Sequence, residues 1–230
     1  CEVLGDNNLP VAEYRQALAV YWEHGQQYQQ AVSLQGYALV TFSMLFGDDH
    51  PFPARAGVVV GRLARKIGGY QLAKQLLDIS LPMLLRVSGE HNDDTLACKL
   101  ELAKLHVATT DYAAALPLAM EVEQQYEGAW GKTNRVYSDA LETLGMIYLG
   151  MNEPTLAAEN FSEACTVLKD LGATSELRWL RASGFLAIAL AGVSNDRATI
   201  RKSFEGALTS YRDSNQTQVL DYAELLLAYA

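Results

Sequence analysis

Cysteine is scarce in this sequence: Cys1, Cys98 and Cys165 are the only three among 230 residues. So few thiols, so widely scattered, exclude a disulfide framework or a cysteine zinc site and fit a reducing cytoplasmic compartment. Histidine is sparse too. None of His24, His50, His91 and His106 stands in an H-E-x-x-H pair or beside a cysteine at metal spacing, so neither metal nor cofactor is expected. Positive charge is the minority sign, with 18 Lys and Arg against 27 Asp and Glu, a net charge of −9. A surface of that sign repels phosphate backbones and anionic lipid, which argues against nucleic acid and membrane as partners. No run approaches the roughly 18 uninterrupted apolar residues a spanning helix requires. The opening residues Cys1 to Asp6 show neither the charged nor the apolar region of a secretory signal. The missing initiator methionine is what a fragment or a processed chain would show. What remains is globular composition, 50% apolar and 20% charged, long enough for one or two domains with a buried core.

The chain repeats itself. At an offset of 42 residues, Tyr28, Tyr70 and Tyr112 coincide, followed by Pro154. Three positions on, the register reads Ala31, Ala73, Ala115, Ala157. A second small-residue register reads Ala19, Gly61, Ala103, Gly145, Ala187, and a third Ala38, Ser80, Val122, Ala164, Gly206. Ala and Gly make up about a fifth of the chain, so five in one register arise by chance about three times in ten thousand. Several registers sharing one period establish a repeat.

Each unit has room for two helices. Apolar residues at helical spacing run through Leu18 to Trp22 and Leu102 to His106, then break at Gly25-Gln26-Gln27, Gly68-Gly69, Thr109-Thr110-Asp111 and Gly150-Met151-Asn152. A second amphipathic run follows, such as Ala73 to Val87 or Ala157 to Leu171. The units close on Gly47, Gly89, Gly131 and, one residue early, Gly172. Capping candidates follow at Asp48-Asp49, Asn92 to Thr95, Thr133-Asn134 and Thr174-Ser175. Small residues recur because two helices approach closely only where side chains are Ala, Gly or Ser.

This hairpin resembles the tetratricopeptide repeat. The period and the loop Leu45-Phe46-Gly47-Asp48-Asp49-His50-Pro51 are similar to the subtype found in kinesin light chains, and Gly68-Gly69-Tyr70-Gln71-Leu72-Ala73 is similar to that subtype's hairpin turn. The resemblance implies an all-α fold, a right-handed α-solenoid of about five helix-turn-helix hairpins in one domain. These hairpins are expected at about 12–46, 54–88, 96–130, 138–171 and 177–212, with a further C-terminal helix over 218–230. The fifth unit is degenerate, with Asp196 in the tyrosine register and Thr199 in the alanine register. The end, Leu225 to Ala230, is apolar. A terminal repeat needs a wettable outer face, so further repeats, another domain or a partner is expected to cover it.

Catalytic chemistry is hard to find. His50 and His91 lie in equivalent loops beside Asp48-Asp49 and Glu90 to Asp94, a pattern that suits helix capping better than a cation site. Gly131-Lys132-Thr133 is not a phosphate loop, because Tyr126 stands where the pattern needs glycine. Cys98 and Cys165 read as buried helical thiols. The protein is therefore not expected to be an enzyme.

Binding is the stronger expectation. In the resembled fold the first helix of each hairpin lines a concave groove, which would place Arg55, Val58, Arg62, Arg65 and Lys66 on its wall, followed by Leu100, Lys104 and Val107. A basic strip with apolar residues alongside suits an acidic, partly apolar segment of a protein or peptide partner, and arginine forks suit carboxylates. The competing reading makes the same cations a solvated face neutralised by Glu13, Glu23, Glu101 or Asp139. The asparagine ladder of peptide-capturing repeats is missing: the matching positions hold Gln16, Ala17, Val58, Val59, Leu100, Glu101, Glu142 and Thr143. The function expected is a protein–protein interaction scaffold or adaptor. Two alternatives are a regulatory or sensor segment of a larger signalling switch or protease, and a small-ligand or metal enzyme using the loop histidines.

Overall fold

The computed structural model describes residues 8–47, 50–174, 176–194 and 196–214. The expected helix over 218–230, its apolar end, and the capping candidates Asp48, Asp49 and Ser175 lie outside the described residues. Among those described there are ten α-helices and no strand. They are α1 (Leu9–His24), α2 (Tyr28–Phe46), α3 (Pro51–Lys66), α4 (Tyr70–Val87), α5 (Asp93–Ala108), α6 (Tyr112–Trp130), α7 (Arg135–Gly150), α8 (Pro154–Asp170), α9 (Leu177–Val193) and α10 (Arg197–Asp213). The fold is all-α, built of consecutive helical hairpins.

The period reappears in the helix boundaries. First helices begin at Leu9, Pro51, Asp93, Arg135 and Leu177, each 42 residues after the last. Their N-caps sit in register as well. Asn8, His50, Asn92 and Asn134 each accept a backbone N–H near the helix start through the side chain, at 3.0, 3.2, 2.9 and 2.7 Å. His50 is thus a capping residue: its Nδ1 accepts from the Phe52 N–H, and its ring stacks on Phe46. Between paired helices the chain turns through one left-handed residue, at Gln26, Gly68, Thr110 and Asn152, again 42 apart. Only one of the four is glycine; at the others the turn imposes a conformation that L residues adopt at some cost.

The chain divides into two compact units, residues 1–109 and 110–230, parted at the turn between α5 and α6. In the first, α2 packs on α1 and α3, α4 on α3 and α5, and α3 also touches α5. In the second, α7 packs on α6 and α8, α9 on α8 and α10, and α7 also touches α9.

The small registers are the seams of this packing. Ala31, Ala73, Ala115 and Ala157 are completely buried, and so are Ala38 and Ala164. A Cβ on Gly61 would meet Leu77 Cγ at 2.9 Å, and one on Gly145 would meet the Phe161 ring at 2.7 Å. The tyrosine register has a distinct role. Each member is the first residue of a second helix, and three of the four are placed against the last turn of the following first helix. Tyr28 lies under the Lys66 ammonium at 4.9 Å. The Tyr112 ring fills the space beside Gly150, where an added Cβ would stand 2.1 Å away. Pro154 does the same beside Gly192.

The last register slips. Asp196 is the N-cap of α10, accepting from the Ala198 N–H at 3.0 Å and the Thr199 hydroxyl at 2.6 Å. The helix therefore starts one residue late, and the buried small position moves from Gly206, which is exposed, to Ala207.

Candidate partner-binding surface

Every residue of the expected surface lies in the first unit. Arg55, Val58, Arg62, Arg65 and Lys66 belong to α3, whereas Leu100, Lys104 and Val107 belong to α5. Val58 and Leu100 are buried, while Val107 is half-buried. Arg62 stands seven residues after Arg55, and Arg65 and Lys66 three and four residues after Arg62, which puts the four along one side of the helix. Their side chains keep between 19% and 54% of their exposure.

Each meets a carboxylate from a neighbouring first helix. Arg55 Nε stands 3.1 Å from Asp94 on α5. Arg62 donates to one Glu23 oxygen at 2.8 Å, and Lys66 to the other at 3.1 Å, reaching α1. Arg65 donates to Glu101 at 2.9 Å, and Lys104 approaches the other oxygen of that carboxylate at 3.4 Å. Glu23 and Glu101 are thus the counter-charges here, whereas Asp139 pairs with Arg178 in the second unit. Burial alone would raise the Glu101 carboxyl, but Lys104 and Arg65 outweigh it and hold it at about 2. Burial also lowers the Lys66 ammonium below its usual value, with Glu23 opposing.

Four of the pairs share one offset, whereas Arg65–Glu101 and Glu23–Lys66 stand 36 and 43 residues apart. Glu23 and Arg62 are 39 residues apart, as are Asp139 and Arg178, and Glu142 and Arg181. Equivalent positions on consecutive first helices are 42 apart, so a partner at 39 lies one turn nearer the N-terminus of the next helix. Asp94, Arg178 and Arg181 could have been found by searching for opposite charges at that spacing.

Nothing in the surface resembles a catalytic constellation. Burial pushes the Cys98 and Cys165 thiols up to about 12, far from a nucleophilic thiolate. Among the described residues no group of three or more His, Cys, Asp or Glu is arranged to hold a metal ion, and no helix is long and apolar enough to cross a membrane.

No protein-family model and no curated protein matches the sequence. Solved structures do resemble it in fold. BtubC from P. vanneervenii is 15% identical with a TM-score of 0.72, over 90% of this chain and 82% of that one. The kinesin-light-chain-type protein of Podosopora anserina, with nearly identical TPR-like repeats, is 17% identical with a TM-score of 0.69, over 89% and 96% of the two chains. A Rap protein complexed with Competence and Sporulation Factor reaches a TM-score of 0.76 at 9% identity, over 89% of this chain and 55% of that one. These likenesses define the class of fold, the tetratricopeptide-type repeat.

Proposed function

We propose that the chain is a protein-interaction scaffold without catalysis of its own, and that the strip Arg55, Val58, Arg62, Arg65, Lys66, Leu100, Lys104 and Val107 receives an acidic, partly apolar segment of a partner. The observation that supports this reading is the imbalance along α3, where four partly exposed cations meet only three carboxylates, with Arg62 and Lys66 sharing Glu23. A carboxylate of the incoming segment completes that set, and half-buried Val107 offers it apolar contact.

Charge reversal at Arg65 would set two carboxylates together in a buried place, so it tests folding as much as binding. The better variant is Arg55→Gln with Arg62→Gln. It leaves Lys66 on Glu23 and Arg65 on Glu101, and leaves Asp94 at the start of α5, where the helix dipole favours an acid. Against an array of acidic, leucine-containing peptides, the native chain is expected to bind with salt-sensitive affinity. The double variant is expected to bind more weakly and with a shallower salt dependence. Equal affinity and equal salt slope in both proteins refute the strip.

A second reading, a regulatory segment of a larger switch, is supported by the likeness to a Rap protein of which this chain spans 55%. Partner binding that alters the activity of a domain joined to these repeats would favour it.

A further inference from the structure

Of the ten described helices, α2 alone carries no charged residue, over 19 positions of a chain that is 20% charged. Its outer face is apolar instead. Tyr37, Val40 and Met44 stand along one stripe and are 62%, 51% and 67% exposed, beside exposed Gln29 and Ser33 and half-buried Gly36. In α4 and α8, which each have an earlier second helix in the same unit, the positions equivalent to Ser33, Gly36, Val40 and Met44 are exposed without exception. This face is therefore the outside of the hairpin wherever the hairpin stands in the row. In α8 the equivalents are Glu159, Ser162, Thr166 and Asp170, with Glu163 in the place of Tyr37, as suits a surface turned to water. α2 does the opposite.

Gly36 lies within the stripe. A mid-helix glycine weakens a helix relative to alanine, and a Cβ there would meet nothing within 4 Å. No packing among the described residues asks for it. Next to it stands Tyr37, whose ring the Arg15 guanidinium holds from one face at 5.2 Å. An aromatic ring and a bare stretch of backbone thus lie side by side on one uncharged face. The molecule already joins such a pair internally, where the Tyr112 ring fills the place of a Cβ on Gly150.

We infer that α2 pairs with α2 of a second copy of this chain, antiparallel, about a two-fold axis passing between residues 36 and 37. That axis lays Tyr37 on the copy's Gly36, Val40 against its Ser33 and Met44 against its Gln29, each contact made twice, as a two-fold interface requires. Large side chains meet small ones at the two central pairs, which lets the helices approach closely. The charge pattern selects a second copy as the occupant. Two chains of net charge −9 repel each other, and a two-fold axis brings any charge beside it close to its like. The repulsion is least where the contact itself carries no charge, and α2 is that place. The stripe covers roughly 600 Å² on each copy, the low end of specific interfaces, so the dimer dissociates in the micromolar range.

Sedimentation equilibrium of the 230-residue chain across about 1–500 µM tests this. The expected result is a reversible monomer–dimer equilibrium that added salt strengthens or leaves unchanged, since salt screens the repulsion between copies and the contact contains no ion pair to lose. Tyr37→Glu should leave a monomer throughout, because it sets two carboxylates across the axis. Gly36→Ala should weaken the dimer about tenfold through overpacking, yet raise the melting temperature of the dilute chain. A glycine kept only for the monomer's structure would not give those opposite effects. The dimer should survive Arg55→Gln with Arg62→Gln, which separates it from the basic strip. A chain that stays monomeric over the whole range overturns the proposal. So does a dimer that persists in Tyr37→Glu, is not weakened by Gly36→Ala, or is lost with the two arginines, since each places the contact elsewhere.

Discussion

If close approach of helices through small residues sets the repeat, then one methyl group at the right glycine should be costly and the same group elsewhere should not. Gly145 is the sharpest site. A Cβ there would stand 2.7, 2.8 and 2.9 Å from three atoms of the Phe161 ring, well inside van der Waals contact. Phe161 is completely buried, so the ring cannot swing into solvent. Overpacking of this kind costs about 1–3 kcal/mol, while replacing a mid-helix glycine by alanine returns about 1 kcal/mol in helix propensity. The net expectation for Gly145→Ala is destabilisation of about 1 kcal/mol. The control is Gly128→Ala on α6 in the same unit, where an added Cβ meets nothing within 4 Å. It should gain about 0.5–1 kcal/mol, fraying near the helix end keeping it low. Urea unfolding followed by circular dichroism measures both. Adding Phe161→Leu to Gly145→Ala should recover part of the loss by making room. If Gly145→Ala stabilises as much as Gly128→Ala does, the seam is not closely packed and the account of the repeat fails.

Two further expectations concern the first unit. Gln35 is completely buried with neither amide atom hydrogen-bonded, in the register that elsewhere holds Leu77, Ala119 and Phe161. Gln35→Leu should therefore raise stability by about 1–3 kcal/mol, since unpaired buried polar atoms cost that much; a lowered melting temperature would count against it. The Glu101 carboxyl, held at about 2 against an ordinary value of 4.5, contributes stability that is complete above pH 4.5 and is lost as the pH falls toward 2. Denaturant midpoints between pH 5 and 2 should fall less steeply in Glu101→Gln than in the native chain; parallel curves refute it.

Much of this fold was legible because packing imposes residue type. Nothing larger than a small side chain fits at Ala31, Ala73, Ala115 and Ala157, so the requirement is written in the sequence, and the tyrosine register marks where each second helix starts. What escaped notice is what backbone or geometry can satisfy in several ways. The left-handed turn residue is Gln26, Gly68, Thr110 or Asn152, four types with no shared side-chain chemistry. In the fifth repeat a capping aspartate postpones the helix by one residue, which offsets every later register. The basic strip was visible as a row of cations on α3. Their carboxylates were only partly visible, because pairing across 39 residues shows up only once the helices are laid side by side.

Those pairs bear on how consecutive first helices keep their register. Apolar and small residues let helices slide with little penalty, but a buried charge has few places where it is satisfied, so a partner displaced toward the N-terminus of the next helix fixes the axial position. Arg65 and Glu101 form the most buried pair, with side chains 19% and 10% exposed, whereas Lys74 and Asp78 form an exposed pair within α4 at 54% and 49%. A double-mutant cycle on Arg65→Gln and Glu101→Gln should give a coupling of about 1–3 kcal/mol, as contacts inside one charged network do. The Lys74–Asp78 cycle should give only about 0.3–0.5 kcal/mol. Replacing both members of the buried pair should cost less than removing Glu101 alone, which leaves Arg65 and Lys104 facing each other without their shared carboxylate, whereas Arg65→Gln still leaves Lys104 on Glu101. Equal couplings at the two sites would mean that the ladder along α1, α3 and α5 follows from the packing and does not help to set it.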